Sequence, residues 1–240
     1  MYNLNTHSHF SYLKDYLCNF ASNNFDDFIK ESLMCADVIA ANIESGSSYG
    51  FSKFIKPYYP NNINSLQQVI KNKVIGDIFE LFAGYFMQYF ETGTDFGIKR
   101  GTYQFSQDMT SSDDTDVGMD GFGIFSATND NAVIQVKYRS NPNDRPFDKN
   151  VFMSLYGAGI IRDIIDQHNI NQRLIFITNI PVGSNKSWDG KTKIFNSLKT
   201  MSKVPVVLIG YNEIIDKVGS NKTNTNYPIF WKSFYSQFTI

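Results

Sequence analysis

Apolar positions recur at helical spacing along the first part of the chain. Residues 10–45 carry them every three or four positions, and residues 65–91 carry a longer series of the same kind. Such spacing places side chains on one face of a helix, so both segments are predicted to be helical. Residues 45–64 contain Gly, Ser, Pro and Asn-Asn, which are typical of a linker or long loop. The pattern predicts a helical N-terminal extension over residues 1–60 and a second domain over residues 61–240.

Shorter apolar runs dominate the second domain. They predict strands at 102–106, 121–127, 132–139, 173–178 and 204–209, and the spacing between the later runs predicts helices at 149–167 and 188–202. The turn cluster Thr128–Asn131 indicates a hairpin, whereas intervening helices favour parallel strands. The aromatic stretch at 227–238 is expected to pack against this domain. We therefore predict an α/β fold in which helices cover both faces of a mixed sheet.

Composition, charge and cysteine content limit the classes of protein to which this chain could belong. The 240 residues are 42% hydrophobic with a net charge of −1, which fits a folded core and argues against broad non-specific coating of DNA. Cys18 and Cys35 are too few for a disulfide framework or a cysteine zinc site, and both are expected to be reduced and buried. A secretory signal and an apolar run of membrane-spanning length are both absent from the sequence, so a cytoplasmic location without membrane association is expected.

The run AVIQVKYR at residues 132–139 carries the most informative polar residues. Side chains alternate along a strand, so Gln135 and Lys137 project from one face together with Val133 and Arg139. Taken alone, the pattern favours an edge strand with one solvated face. An amide oxygen and an ammonium side by side would instead suit a site for a hard metal ion acting on phosphate, provided that a carboxylate lies nearby.

Two carboxylates are candidates for that site. Asp120 lies between Gly118 and Gly121, directly before a predicted strand, where glycines permit close approach of the backbone. An ordinary acidic turn is the alternative interpretation. Glu80 has small neighbours and no Lys or Arg four positions away, so it does not form a helical ion pair with such a partner. It is either a solvated glutamate beside an apolar stripe or a carboxylate directed at the same site.

Taken together, these segments resemble the PD-(D/E)XK nuclease superfamily. GDIFE at 76–80, DVGMDGFG at 116–123 and VIQVKYR at 133–139 follow one another on a predicted helix, strand and strand. The resemblance is strongest to the Mrr-like branch, in which Gln replaces the central acid of the triplet, and to nuclease domains fused to some helicases. It covers about residues 65–210. It implies a restriction-endonuclease-like mixed β-sheet flanked by helices.

The resemblance also implies a metal-dependent DNA endonuclease that hydrolyses phosphodiester bonds. It would use Mg²⁺, with Mn²⁺ able to substitute. The implied metal ligands are the Asp120 carboxylate, the Gln135 amide oxygen, the Val136 carbonyl and the Glu80 carboxylate. Lys137 would orient the attacking water or stabilise charge that develops on the phosphate. A restriction-type, phage or mobile-element enzyme would fit this activity.

Several assignments within this hypothesis stay open. Asp116 is a second choice to Asp120 as the principal ligand, because Asp120 leads directly into the strand. Tyr138 and Arg139 are candidates for DNA phosphate contacts, although packing and solvation explain them equally well. Double-stranded DNA is the expected partner. A homodimer is expected by analogy, since two-fold symmetry would match two strands.

The sequence also suggests functions other than that of a nuclease. A catalytically inactive DNA-binding or regulatory protein on the same fold is the main alternative. A nucleotide-binding protein that uses the loop at 183–192 is a further one, but Asn185 stands where a phosphate-binding loop requires glycine. A calcium loop starting at Asp114 fails because Met119 occupies the glycine position.

Overall fold

The computed structural model describes residues 8–44, 63–105, 119–141, 151–157, 172–182, 200, 204–222 and 227–239. Four predicted features lie wholly or almost wholly outside these residues: the linker at 45–64, the segment with Asp116, the loop at 183–192 and the helix at 188–202. The helix predicted at 149–167 is described only over 151–157. The helices begin with a short 3₁₀ turn at Ser8–Leu13. They continue as α1 (Lys14–Leu17), α2 (Phe25–Glu44), α3 (Ile63–Tyr89), α4 (151–157), α5 (Tyr211–Val218) and α6 (Pro228–Tyr235).

Among the described residues, five strands form one mixed sheet in chain order. They are β1 (Gln104–Phe105), β2 (Gly121–Ile124), β3 (Asn131–Lys137), β4 (Gln172–Thr178) and β5 (Val206–Ile209). The first three are antiparallel and the last three run parallel, so both the predicted hairpin and the mixed α/β class are confirmed. The strands are shorter than predicted at several ends, because turn residues flank the apolar runs.

The position of β3 in the sheet corrects one interpretation of its sequence. It lies in the centre, between β2 and β4, and six of its seven residues are buried. The edge strand with a solvated face is therefore wrong for this segment. On the face that carries Val133, its apolar residues pack with Leu174 and Phe176 of β4 and with Phe152 of α4. The polar residues of β3 consequently project from a strand that is covered on both sides by neighbours.

Gly121 shows why the start of β2 is rich in glycine. A Cβ at this position would overlap the hydroxyl of Tyr103, whose ring is buried beside it. A larger residue would therefore push the strand away from Tyr103. Because Gly121 directly follows Asp120, this close packing also determines where the Asp120 backbone lies.

The chain divides into two compact units. One, the sheet unit, comprises Phe82–Asp216, and the other, the helical unit, combines Asn3–Leu81 with Lys217–Ile240. The predicted division at residue 60 stays a prediction.

The helical unit contains a core of aromatic side chains. Phe28 of α2 lies with its ring centroid 5.4 Å from Trp231 and 5.8 Å from Phe234 of α6. Phe25 lies 6.3 Å from Phe79 of α3. The aromatic stretch at 227–238, which was expected to pack against the second domain, contacts Phe28 of α2.

Two further differences from the predictions concern small features. Cys35 is buried as expected, but Cys18 is exposed, so the burial predicted for Cys18 is wrong; both thiols are free. Helix α5 was not predicted, because its eight residues give too short a pattern to identify from sequence. Within the described part of the chain, none of the helices is long and apolar enough to cross a membrane.

Candidate functional site

Asp120 lies at the start of β2, beside the end of the β2–β3 ladder. Its main-chain N–H donates to the Ile134 carbonyl at 2.9 Å. Its carboxylate oxygen Oδ2 accepts a hydrogen bond from the Val136 N–H at 2.6 Å, and a second one from the Gln135 amide nitrogen. Both donors are N–H groups, for which a carboxylate oxygen is a strong acceptor. The hairpin therefore fixes the Asp120 carboxylate against the neighbouring strand.

Gln135 contributes a buried amide to the same group. Only 4% of the residue is exposed, and a buried amide is stable only when it is hydrogen-bonded. An ionised carboxylate accepts hydrogen bonds and donates none, so the Gln135 nitrogen must face Asp120. The amide oxygen of Gln135 is then the other polar atom of this side chain. That oxygen is the atom which the sequence predicted as a metal ligand.

Lys137 completes the group with a positive charge. Its Nζ lies 4.0 Å from Asp120 Oδ2, a separation longer than a direct hydrogen bond. The exposed fraction of the side chain is 33% for Lys137 and 18% for Asp120. The ammonium is therefore paired with the carboxylate and still reaches solvent. The structure thus brings together the three predicted residues Asp120, Gln135 and Lys137.

The chain beyond β3 is held by a residue that sequence reasoning missed. The Asn179 side chain accepts from the Arg139 N–H at 2.7 Å and donates to the Arg139 carbonyl at 2.9 Å. Both backbone groups are thus bonded to one amide, which continues the alignment of β3 and β4 past the last ladder pair. The available signal was the Thr178-Asn179 pair at the end of an otherwise apolar run. Burial raises the pKa of the neighbouring Tyr138.

Glu80 belongs to the helical unit and is half-buried on α3. Its described electrostatic neighbour is Tyr12, whose pKa is raised by burial first, then by Asp77 and to a smaller extent by Glu80. Tyr12 donates a hydrogen bond of 2.7 Å to Asp77. A role of Glu80 as a metal ligand stays a prediction. Asp116, the second choice to Asp120, lies outside the described residues.

The oxygen atoms around Asp120 are of the kinds that bind a hard cation. A carboxylate, an amide oxygen and a main-chain carbonyl are the oxygen donors that Asp120, Gln135 and Val136 can offer, and Mg²⁺ binds one or two carboxylates while keeping several waters. In the described ranges, clusters of three or more His, Cys, Asp or Glu residues that could hold a metal are absent.

The opposite end of the same hairpin carries a second acid–base pair. Arg173 Nη2 lies 3.6 Å from Asp130 Oδ2, and the guanidinium lies 3.8 Å from the centroid of the Phe125 ring. Asp130 also accepts a hydrogen bond from Thr128 in the turn. This pair packs against an aromatic ring and stabilises the hairpin, whereas Lys137 retains contact with solvent.

Comparison of the chain with protein-family models, with curated proteins and with solved structures found no significant match.

Proposed function

We propose that this protein is a metal-dependent DNA endonuclease that hydrolyses phosphodiester bonds. One observation carries the proposal: Gln135, the Val136 amide and the Lys137 ammonium all converge on the Asp120 carboxylate from the adjacent strand. This is the carboxylate and Gln-x-Lys combination on which the resemblance to PD-(D/E)XK nucleases rests. An ordinary acidic turn explains the position of Asp120, but it does not explain a buried glutamine and a lysine directed at the same oxygen.

Each residue has a defined part in the proposed reaction. Asp120, the Gln135 amide oxygen and the Val136 carbonyl would hold Mg²⁺ or Mn²⁺, with Glu80 as a further candidate ligand. When bound, the ion would supply an activated water and would neutralise charge on the scissile phosphate. Lys137 stabilises the charge that develops on the phosphate oxygens, because its ammonium already lies beside Asp120 and reaches solvent.

The substrate is proposed to be double-stranded DNA bound by its backbone. Arg139 follows the site by two residues, and Asn179 fixes its main chain through two hydrogen bonds. A fixed backbone reduces the entropy that a phosphate-binding side chain loses on contact. Cleavage of both strands by one site per chain would be achieved by a homodimer. A restriction-type, phage or mobile-element role follows from this activity.

The test is cleavage of supercoiled plasmid in Mg²⁺, in Mn²⁺ and in EDTA. Asp120→Asn should lower metal-dependent cleavage at least about 100-fold, because it removes the only charged ligand in the described hairpin. Asp130→Asn is the matched control, since it makes the same change at the other end of the hairpin. Equal activity of Asp120→Asn and Asp130→Asn would reject Asp120 as a catalytic residue. Branched, single-stranded and RNA substrates test the nucleic-acid preference.

A second candidate is a DNA-binding or regulatory protein on the same fold that does not cleave. It is favoured by the two N–H donors on Asp120 Oδ2, since these hydrogen bonds give the carboxylate a role in holding the hairpin that requires no metal. Dependence of the activity on a metal ion distinguishes the two candidate functions. The binding protein retains DNA in EDTA and cleaves under none of the conditions, whereas the nuclease needs the ion for its activity.

A further inference from the structure

Thr178 is the last residue of β4, next to the candidate site. It pairs in register with Lys137 across the parallel strands. Neighbouring strands lie about 5 Å apart and residues in register share a face, so the two side chains are adjacent. Thr178 is 0% exposed, and its Oγ1 has no hydrogen-bond partner among the described residues. Such a hydroxyl lowers stability relative to valine, which has nearly the same shape. Its presence therefore needs a reason other than stability.

The order of the strands supplies that reason. Strand β3 carries Lys137, and its two neighbours are β2, which follows Asp120, and β4, which ends at Thr178. The lysine therefore has a carboxylate on one side and an unpartnered hydroxyl on the other. A Lys ammonium has three donors, and a threonine hydroxyl has two acceptor lone pairs. In the structure the ammonium lies 4.0 Å from Asp120 Oδ2, so it is not held by a direct hydrogen bond there.

Charge explains when the hydroxyl would be used. A divalent cation held by Asp120 would disfavour the neighbouring ammonium, because like charges a few ångströms apart repel each other strongly in a partly buried site. Lys137 would then need an acceptor on the side away from Asp120. We infer that Thr178 is the positioning residue for Lys137, and that its hydroxyl accepts the ammonium and holds it beside the scissile phosphate. The inference rests on the proposed nuclease function.

Three variants test this role. Thr178→Val removes the hydroxyl and keeps the shape, and Thr178→Ser restores a hydroxyl. Thr102→Val is the matched control in the same unit: the Thr102 hydroxyl donates to the Lys99 carbonyl at 2.8 Å and accepts from the Ile124 N–H at 3.1 Å. For each variant, kcat and KM for metal-dependent plasmid cleavage are measured, together with Tm in EDTA. The Tm measurement reports on the hydroxyl without reference to activity.

The expected results distinguish a role of Thr178 in positioning Lys137 from a purely structural role. Thr178→Val should lower kcat about 10–100-fold with KM within about twofold, since displacing a catalytic group by about 1 Å has effects of this size. Its Tm in EDTA should be equal to wild type or higher by about 2–4 °C, because an unsatisfied hydroxyl is lost. Thr178→Ser should recover most of kcat. Thr102→Val should show the reverse, a lower Tm with unchanged kcat.

Three outcomes overturn the inference, and they do so in two different ways. If wild type cleaves with metal and Thr178→Val keeps its kcat, the positioning role is wrong and the nuclease stands. The same holds if kcat and Tm of Thr178→Val fall together and serine does not restore kcat, because the residue is then structural. If wild type cleaves none of the nucleic acids supplied, in Mg²⁺ or in Mn²⁺, the proposed function and this inference both fail.

Discussion

Each of the two units contains an aspartate paired with a lysine, and the two pairs differ in how closed they are. In the helical unit, the Asp77 side chain is 3% exposed and the Lys73 Nζ lies 2.9 Å and 3.1 Å from its two oxygens. In the sheet unit, the Asp120 side chain is 18% exposed and Lys137 stays 4.0 Å from one oxygen. The same two residue types therefore form a closed pair in one unit and an open pair in the other.

The difference follows from what surrounds each carboxylate. Asp77 receives side-chain donors from α3 itself and from Tyr12, whose hydroxyl donates at 2.7 Å. A buried carboxylate satisfied in this way holds helices together and has little freedom to bind anything else. Asp120 is instead held by a main-chain N–H and the Gln135 amide, and its lysine makes no direct hydrogen bond to it. An open pair of this kind suits chemistry, and a closed pair suits stability.

The largest difference between the two pairs is expected when the lysine of each pair is replaced. Lys137→Ala should lower metal-dependent DNA cleavage about 100–1000-fold, because it removes a donor that stabilises charge in the transition state. Folding should be retained, since the ammonium of Lys137 is partly solvated. Plasmid cleavage at matched protein concentration measures the activity, and circular dichroism confirms the fold.

Lys73→Ala is the control for that experiment, since it changes the lysine of the closed pair. It should reduce stability and leave cleavage per folded molecule at the wild-type level. Full activity of Lys137→Ala would contradict the assignment of Lys137 as a catalytic residue. A loss of activity in Lys73→Ala without unfolding would show that the two pairs do not have separate roles.

Removing the buried carboxylate has the next largest expected effect. Asp77→Ala should destabilise the protein by about 3 kcal/mol, because it breaks a buried pair and leaves the Tyr12 hydroxyl without its acceptor. Urea unfolding gives the free energy. A change below about 1 kcal/mol would mean that the closed pair contributes little to the stability of the helical unit.

The pH dependence of stability should also report on the helical unit. Burial raises the pKa of the Cys35 thiol from 9.0 to about 12. The unfolded thiol ionises first, so the contribution of Cys35 is complete below pH 9 and is lost as the pH rises towards 12. Stability should fall by at most about 1.4 kcal/mol per pH unit from this group. Urea unfolding between pH 8 and pH 10.5 measures the slope.

The two cysteines provide the control for the alkaline slope. Cys35→Ala should flatten it, whereas Cys18→Ala should leave it unchanged, because the Cys18 thiol is exposed in the folded protein. An identical slope in wild type and Cys35→Ala would contradict the assignment of the alkaline loss to the buried thiol.

The smallest expected effect comes from the tyrosine of the closed pair. Tyr12→Phe removes one hydrogen bond to Asp77 and keeps both contacts to Lys73, so a loss of about 1 kcal/mol is expected. Equilibrium unfolding at neutral pH measures it, and cleavage per folded molecule should not change. A loss as large as that of Asp77→Ala would show that Tyr12, and not Lys73, is the main partner of the carboxylate.

Local patterns predicted most of the sheet and the candidate group within it. The apolar runs and the turn at Thr128–Asn131 identify β2, β3 and their antiparallel pairing, because hairpin partners are close in sequence. The alternation that puts Gln135 and Lys137 on one face is a property of any strand. The contact of Gln135 and the Val136 amide with Asp120 then follows from the register of the hairpin.

Pairing between distant segments escaped prediction. The burial of β3 depends on β4, which starts 35 residues after the last residue of β3 along the chain. The pattern of β3 alone favours an edge strand, because sequence does not display its partner on the far side. The roles of Thr178 and Asn179 can be recognised only from that pairing, which brings them next to Lys137 and Arg139.

The amino-acid sequence by itself determined the residue types of the candidate site, the mixed α/β class and the hairpin that joins Asp120 to Gln135. These depend on periodicity and on short-range pairing, which a single chain displays directly. Only the tertiary structure decided that the Asp77–Lys73 pair is closed while the Asp120–Lys137 pair is open, and that Thr178 pairs in register with Lys137. Burial and hydrogen-bond satisfaction depend on side chains brought together from distant segments, and their energies exist only in the folded state.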